Sequence, residues 1–484
     1  MARYDSNVPL SNPSSTEATP ARALSFEDAR RLVERHAGQV SPGKPESLDL
    51  LAAAGRVLAE EIRADRDFPP FDRATRDGYA VRAADVTALP TRLEVVGEIK
   101  AGDLPECLTM NRGQAVSIMT GATMPAGADA VVMVEYTSAQ EVGAREVLDS
   151  EIGVSEKAQP SAPVASHSNV ATGTTLGWGS RIVEVRHGVS AGENFVPRGA
   201  EARVGQVLLG RGRRLDFAGI AIAASVGKDR VQVFRKPRVA VLSTGDELVE
   251  IGASPEAGQI RNSNSYSLAA QIQPAGGEPV LLVVAPDEPR RLRALIEEGL
   301  QCDLLLLTGG VSMGKYDLVE QVLTELSAEF YFTGAAIQPG RPVVFGACAA
   351  GVVGHPSGGD TADTRTGVSA PLKTYFFGLP GNPVSTMVTF ELFARPMIEA
   401  LAGMRPLPLI FLRARLKSEI KTKTGLKRFL PAILSGEFEN AEVELARWQG
   451  SGDIATLARA NCYVVIPPDR ERIEAGDWVP LLLR

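Results

Sequence analysis

The sequence predicts a multidomain α/β protein organised around a doubly wound parallel sheet. Three observations carry this expectation. Between Arg238 and Phe393, short apolar runs alternate with amphipathic stretches, the pattern of strands that each lead into a covering helix. From Phe68 to Glu135, and again after Pro406, the texture changes to short apolar runs broken by Gly and Pro, which predicts separate β-rich units. The chain has 484 residues, 44% of them hydrophobic. At about 150 residues per domain, that length corresponds to roughly three domains with ample material for buried cores.

Taken in order, Ser25 with Asp28 forms a capping box ahead of a helix over Ala29–His36. Leu48–Ile62 is rich in Ala and Leu at helical spacing and reads as a second helix. Tyr79–Val81, Leu93–Ile99, Ala115–Met119 and Ala130–Val134 read as strands. Arg238–Ser243 is a β-branched strand and Ser263–Pro274 a helix. Pro279–Ala285 is a second strand, with Asp287 as N-cap and Pro289 in the first turn of the helix that follows. Leu292, Leu295, Ile296 and Leu300 share one face of that helix. Asp303–Leu307 is a third strand, Tyr316–Leu326 a helix, and Phe376–Leu379 a late strand feeding a helix through Phe393. Residues 150–180 and 347–372 are dominated by small and polar residues and read as loop insertions. The first 23 residues are rich in Ser, Pro and Thr without an apolar stretch, as in a flexible tail rather than a signal peptide.

Composition narrows the function classes. Fifty-one basic residues against 58 acidic give a net charge of −7, the opposite of a nucleic-acid binder's footprint. The longest apolar runs fall well short of the roughly 18 residues a membrane span needs. Cys107, Cys302, Cys348 and Cys462 are far apart and form no metal-binding pair, so a reducing cytoplasm fits. His36, His167, His187 and His355 also lack metal-ligand spacing. Charge is uneven, however. The segment 405–428 holds eight Lys or Arg (Arg405, Arg413, Arg415, Lys417, Lys421, Lys423, Lys427 and Arg428) against Glu419 alone. A solvated strand face is the favoured reading, with an anion-attracting patch as the alternative.

In open α/β sheets, ligands bind beyond the carboxyl ends of the strands. Three loops fall there: Ser243–Glu247 (STGDE), Thr308–Asp317 (TGGVSMGKYD) and Gly378–Ser385 (GLPGNPVS). Each is rich in Gly or hydroxyls and precedes an expected helix, so its amides could cradle a phosphate. Any one loop alone is better read as a tight strand–helix turn; three on one sheet edge point to a ligand crevice. Asp246 and Asp317 follow two of these loops, as a Mg²⁺ site sharing oxygen ligands with a phosphate would require, although either could cap a helix. Gln338–Pro342 (QPGRP) sets Arg341 between prolines, where its fork suits an oxyanion or simply a surface turn. Two polar islands, around Asp77-Gly78 and Thr120-Gly121, interrupt the first β-rich unit; a turn accounts for Asp77-Gly78.

Seven motifs in family order give the chain a specific resemblance. They are PxFDxxxxDGYAV (Pro70–Val81), IMTGAxxPxGADAVV (Ile118–Val132), STGDEL (Ser243–Leu248), GQIRNSN (Gly258–Asn264), TGGVSMGxxD (Thr308–Asp317), QPGRP (Gln338–Pro342) and GLPGNPVS (Gly378–Ser385). Together with Gly452–Asn461, they resemble the molybdopterin molybdenumtransferases, a family similar to the C-terminal domain of gephyrin, over most of residues 24–484. The resemblance implies a fold with an elongated, discontinuous N-terminal domain (24–66 plus 181–235) and a β-rich domain inserted within it (67–149). An α/β molybdopterin-binding domain (236–404) and a C-terminal β-barrel-like domain (405–484) would follow. It further implies that adenylylated molybdopterin is hydrolysed to AMP with molybdate inserted into the product, using Mg²⁺. Because the pterin supplies the sulfur ligands, no Cys cluster is needed.

The implied catalytic residues are Asp77, Thr120, Asp246 and Asp317, with Asp246 and Asp317 also holding the metal. Gly245, Asn262, Ser263, Gly309, Gly310, Ser312, Gly314, Pro339, Gly340, Arg341, Pro380, Gly381, Asn382, Pro383 and Ser385 would bind substrate, Arg341 and Ser385 taking molybdate. The implied partners are a second copy of the chain, bringing Asp77 and Thr120 in trans, a molybdopterin adenylyltransferase and recipient molybdoenzymes. Two positions depart from the family pattern. Arg198-Gly199-Ala200-Glu201 lacks an acid at Ala200, and Asn262 stands where some members carry Asp. The alternatives are a catalytically reduced scaffold on the same fold and an adenylyltransferase; the flanking β domains disfavour the latter.

Overall fold

The computed structural model of the chain describes residues 23–103, 108–141, 181–310, 318–349, 373–405 and 408–484. The tail, the 150–180 insertion, Cys107, His167 and His355 lie outside the described residues. The chain divides into two compact units, residues 62–209 and a unit joining 1–61 to 210–484.

The larger unit is built on a six-stranded sheet in the order Glu278–Leu281, Arg238–Ser243, Leu304–Thr308, Lys373–Leu379, Val344–Ala349, Glu329–Phe332. The first four strands are parallel, as the strand–helix alternation predicts. The fifth, Val344–Ala349, runs antiparallel to both its neighbours. No helix intervenes between Phe332 and Val344, and a parallel return needs a crossover of about a dozen residues. Because Val344–Ala349 is a strand, the expected 347–372 insertion starts later, and its remaining residues are not among those described.

Continuous apolar strands are buried on both faces of this sheet. Side chains alternate between faces with period two. Val239, Val241, Leu304, Leu306 and Phe377 join one core with the helices Asn264–Ile272 and Arg395–Leu401. Ala240, Leu242, Leu305, Leu307 and Phe376 join the other with Pro289–Gly299 and Leu318–Glu325. The helix expected to reach Phe393 continues through a π-helical turn, Phe390–Ala394, to Leu401. Helix Phe26–Ala37 carries the expected cap, Ser25 Oγ accepting from the Asp28 N–H at 3.1 Å. Its Phe26 ring packs 5.2 Å from Phe429 of the C-terminal barrel.

The second expected helix does not form. Pro45–Asp49 is instead a strand paired with Arg230–Phe234, and the chain then turns at Gly55, whose φ is +77°. Leu58 and Ala59 donate to Arg213 O and Gln232 O. Helical propensity is a weak preference, and strand partners arriving from 180 residues away override it.

After residue 410 the strands Phe411–Leu416, Lys427–Ser435, Glu442–Leu445, Cys462–Ile466 and Trp478–Leu483 pair in a closed ring, the Lys427–Ser435 strand also bonding Cys462–Ile466. Closure leaves no sheet edge among these strands. Within it, the short helix Ile454–Arg459 was not anticipated from sequence; Asp453 caps it.

The 62–209 unit holds a second six-stranded sheet, in the order Ala130–Met133, Gly78–Val81, Gln114–Ile118, Thr91–Ile99, Arg181–Val185, Thr137–Glu141. Gly78 is not the turn residue expected. It opens a strand, and a Cβ there would lie 1.9 Å from Val132 O, so only glycine permits this pairing.

Cys302, Cys348 and Cys462 are free and buried, and burial pushes the last two thiols up to about 11. No described helix is long and apolar enough to cross a membrane. Replacing Leu305, fully buried on the central strand, with Ala is expected to cost about 2–5 kcal/mol in denaturant unfolding. Leu51→Ala, at an 82% exposed residue of the misread helix, should change it by less than about 0.5 kcal/mol.

Candidate functional site

The parallel strands of the larger unit end at a crevice of about 850 Å³. Its walls are tied together by backbone and side-chain bonds between loops distant in sequence. Thr244 and Gly245 donate their N–H groups to Thr308 O and Ala285 O. The Asn264 amide donates to Thr308 Oγ1 at 3.0 Å and Gly381 O at 2.7 Å, and Thr308 Oγ1 donates to Pro380 O. Gly245, Asn262, Ser263, Gly309, Gly310, Pro380, Gly381, Asn382 and Pro383 all line this crevice, as the expected binding set requires. Ser312, Gly314 and Asp317 lie outside the described residues.

Glycine is needed where two loops touch. Gly309 has φ +90°, and a Cβ there would meet Thr244 O at 2.4 Å. Asn262, 4% exposed, is tied into the protein itself: its Oδ1 accepts from Ser243 Oγ and Ser265 N–H, and its Nδ2 donates to Ser265 Oγ. The side chain thereby pins the 258–264 loop to the end of the first strand. Thr244 Oγ1 and Asn264 Oδ1 are buried without a hydrogen-bond partner, an uncommitted hydroxyl and acceptor on the crevice walls.

The acids are arranged differently from the sequence expectation. Asp246 is exposed and accepts from the Asp287 N–H at 3.0 Å. Asp287 is not the N-cap; Glu288 holds that position and makes no capping bond. Asp287 and Glu247 line the crevice instead. Burial, then the nearby Asp246 and Glu247 charges, push the Asp287 carboxyl above its ordinary range. Neither Glu247 nor Asp287 was selected from sequence, although Glu247 is visible in the STGDEL motif. The loop after Ser243 also leads into a short strand pair, Leu248–Val249 with Ile260–Arg261, before any helix begins. It therefore lacks the helix start expected of it.

A second hollow of about 670 Å³ adjoins the crevice, sharing Asn382 and Pro342. Pro339, Gly340, Arg341 and Ser385 line it, together with Lys423, Thr424 and Arg428 from the barrel and Trp448, Gly450 and Ser451. No Asp or Glu is among its lining residues. Gly340 has φ +103°, and a Cβ there would meet Thr389 Cγ2 at 2.3 Å. The basic run thus divides. Lys417, Lys421 and Lys427 pair with Glu442, Glu419 and Glu27, as a solvated face would, whereas Lys423 and Arg428 face the hollow.

In the smaller unit the two polar islands meet. Asp77 Oδ1 accepts from the Thr120 N–H at 2.6 Å, and hydrogen bonds from Thr120 hold the Asp77 carboxyl below its ordinary range. Both residues are exposed. A depressed carboxylate pKa favours the charged form, so the bond is present above the ordinary range and lost as pH falls through the lowered value. Glu201, beside Ala200, is committed to Arg73 at 2.8 Å. Gly309→Ala should separate the first and second loops, costing on the order of 1–3 kcal/mol of stability; circular-dichroism melting checks this.

Comparison with known proteins agrees with this architecture. Residues 24–227 match the MoeA N-terminal region (domain I and II), 240–400 a probable molybdopterin binding domain and 413–483 the MoeA C-terminal region (domain IV). A molybdopterin molybdenumtransferase of Nostoc sp. is 32% identical over 446 residues, covering 90% of this chain and 88% of that protein. One from Bacillus subtilis is 31% identical, covering 91% and 90%. The crystal structure of a molybdopterin biosynthesis MoeA protein from Pyrococcus horikoshii superposes with a TM-score of 0.68 at 26% identity, covering 96% of this chain and all of that one. Another molybdopterin biosynthesis MoeA structure from the same species gives 0.61 at 30% identity, covering 96% of this chain and 99% of that one. Crevice, adjoining hollow and barrel therefore stand in a chain that belongs to the molybdopterin molybdenumtransferase family.

Proposed function

We propose that this protein hydrolyses adenylylated molybdopterin to AMP and inserts molybdate into the pterin dithiolene. One observation carries the reading: a crevice walled by glycine loops and carboxylates adjoins a hollow lined by cations without carboxylates. The first suits a phosphorylated substrate with a divalent ion, the second a small oxyanion.

In this reading Gly309, Gly310 and the Pro380–Pro383 turn hold the pterin phosphate, with Ser312 and Gly314 extending the same loop. Arg341 and Ser385 receive molybdate. Asp246, with Asp317, holds Mg²⁺. The donor set fits: burial, then the charges of Asp246 and Glu247, push the Asp287 carboxyl above its ordinary range, a repulsion that a hard cation relieves. Mg²⁺ typically takes one or two carboxylates plus substrate phosphates, and among the described residues no closed three-ligand cage exists. The ion would supply charge neutralisation at the phosphate being cleaved. Asn262 acts by fixing the loop geometry.

The protein is proposed to act as a cytoplasmic homodimer in which Asp77 and Thr120 of one subunit reach the ligand of the other. Helix Phe217–Ser225 supports this. It is apolar all round, with Phe217 90% exposed, a pattern expected of a helix that is covered in its working state. The same reading divides the chain at 24–66 with 181–235, 67–149, 236–404 and 405–484. It makes an adenylyltransferase the supplier and molybdoenzymes the recipients.

Incubation with adenylylated molybdopterin, Mg²⁺ and molybdate should release AMP. Asp246→Ala should slow that release on the order of 100-fold with an unchanged circular-dichroism spectrum. Wild-type protein that binds the substrate without releasing AMP would instead mark a catalytically reduced scaffold. Phe217→Asp should convert the dimer to monomer in light scattering.

A further inference from the structure

The hollow around Arg341 contains two cations that the reading above leaves without a role, and both come from the C-terminal barrel. We propose that Lys423 and Arg428 hold the oxyanion, so that the barrel supplies part of the site for a small tetrahedral dianion. This rests on the reading that Arg341 and Ser385 receive molybdate.

Arg428 lies near the start of the Lys427–Ser435 strand and is 7% exposed. A guanidinium has five N–H donors and stays charged in proteins. The hydrogen bond it makes runs from Nη1 to Leu426 O at 3.1 Å, and it forms no ion pair among the described residues. A buried cation without a counter-charge is costly, and burial with no acid nearby pushes its pKa down. Arg341 and Lys423 likewise have no ion pair or side-chain hydrogen bond among the described residues. Their neighbours behave otherwise: Lys417, Lys421 and Lys427, in the same run, each meet a glutamate.

Lys417, Lys421 and Lys427 are thus neutralised internally, and the three cations lining the hollow are not. Ser385 and Ser451 add neutral donors, while the Trp448 wall keeps the dielectric low and strengthens attraction to an anion. Arg341 enters from one chain segment and Lys423 with Arg428 from another, so a compact dianion between them would meet positive charge from both. An oxyanion is the group this arrangement lacks.

The plain alternative is that Arg428 only pins the turn at Leu426. The two accounts differ in the sign of a stability change. Calorimetric titration of the full-length protein with sodium molybdate, without pterin, should show binding at least tenfold weaker in Lys423→Ala and in Arg428→Met. Arg428→Met should melt at or above the wild-type temperature in anion-free buffer, and molybdate should no longer raise its melting point. Molybdate affinity within twofold of wild type in both variants would overturn the proposal, as would a lowered melting point in Arg428→Met with unchanged affinity. If Arg428→Met does not fold, the exposed Lys423→Ala decides alone. Arg341→Ala separates the two layers of inference. If it loses molybdate while the barrel variants retain it, the barrel contribution fails and the site reading stands. If all three variants bind as wild type, the site reading fails as well.

Discussion

Burial of the Arg238–Ser243, Leu304–Thr308 and Lys373–Leu379 strands on both faces is the constraint from which the larger unit follows. A strand such as Leu304–Leu307 cannot leave either face to water, so helices must cover both, and each parallel connection must pass through one of them. All the strand ends of one polarity then gather on one edge. Polar and glycine-rich segments that could not sit in either core are collected there, which is why Thr244, Gly309 and Gly381 approach one another. The crevice is a consequence of sheet topology, and the close contact of Gly309 with Thr244 sets how tightly its walls can meet.

Electrostatics then divides that edge. On one side Asp246, Glu247 and Asp287 concentrate negative charge around a common loop, raising the protonation of Asp287. On the other, Arg341, Lys423 and Arg428 concentrate positive charge where no carboxylate lines the wall. Asn382 and Pro342 stand between the two. Such a separation is costly in an empty protein and favourable once a cation and an anion are in place. The overall charge of −7 hides it, because a net value sums the two sides and records neither.

Much of this was legible in the sequence, and the failures share a cause. Continuous apolar runs located the strands of the central sheet, and Ser25 with Asp28 located the first helix start. Four of the motifs, STGDEL, GQIRNSN, TGGVSMGxxD and GLPGNPVS, fall on loops that line the crevice, and QPGRP and GLPGNPVS supply Arg341 and Ser385 of the hollow. Leu48–Ile62 was misread because its Ala and Leu spacing satisfies a helix locally, while its hydrogen-bond partners lie at 213 and 230–234. Asp287 was misread as a cap because its position before Pro289 suggests one; in the fold it turns toward the Asp246 loop. Gly78 looked like a turn residue, and only the Val132 carbonyl explains why it must be glycine.

The sequence by itself determined the class of fold, the order of its segments, the family and the glycine-rich loops that line the crevice. These depend on local period, turn residues and motif spacing. Tertiary structure alone decided which residues meet: Asp77 bonded to Thr120, Glu247 in one cavity with Asp287, and Arg341 in another with Lys423 and Arg428. Those pairings arise from strand order and barrel closure, which are set by long-range burial, and no local pattern in the chain encodes them.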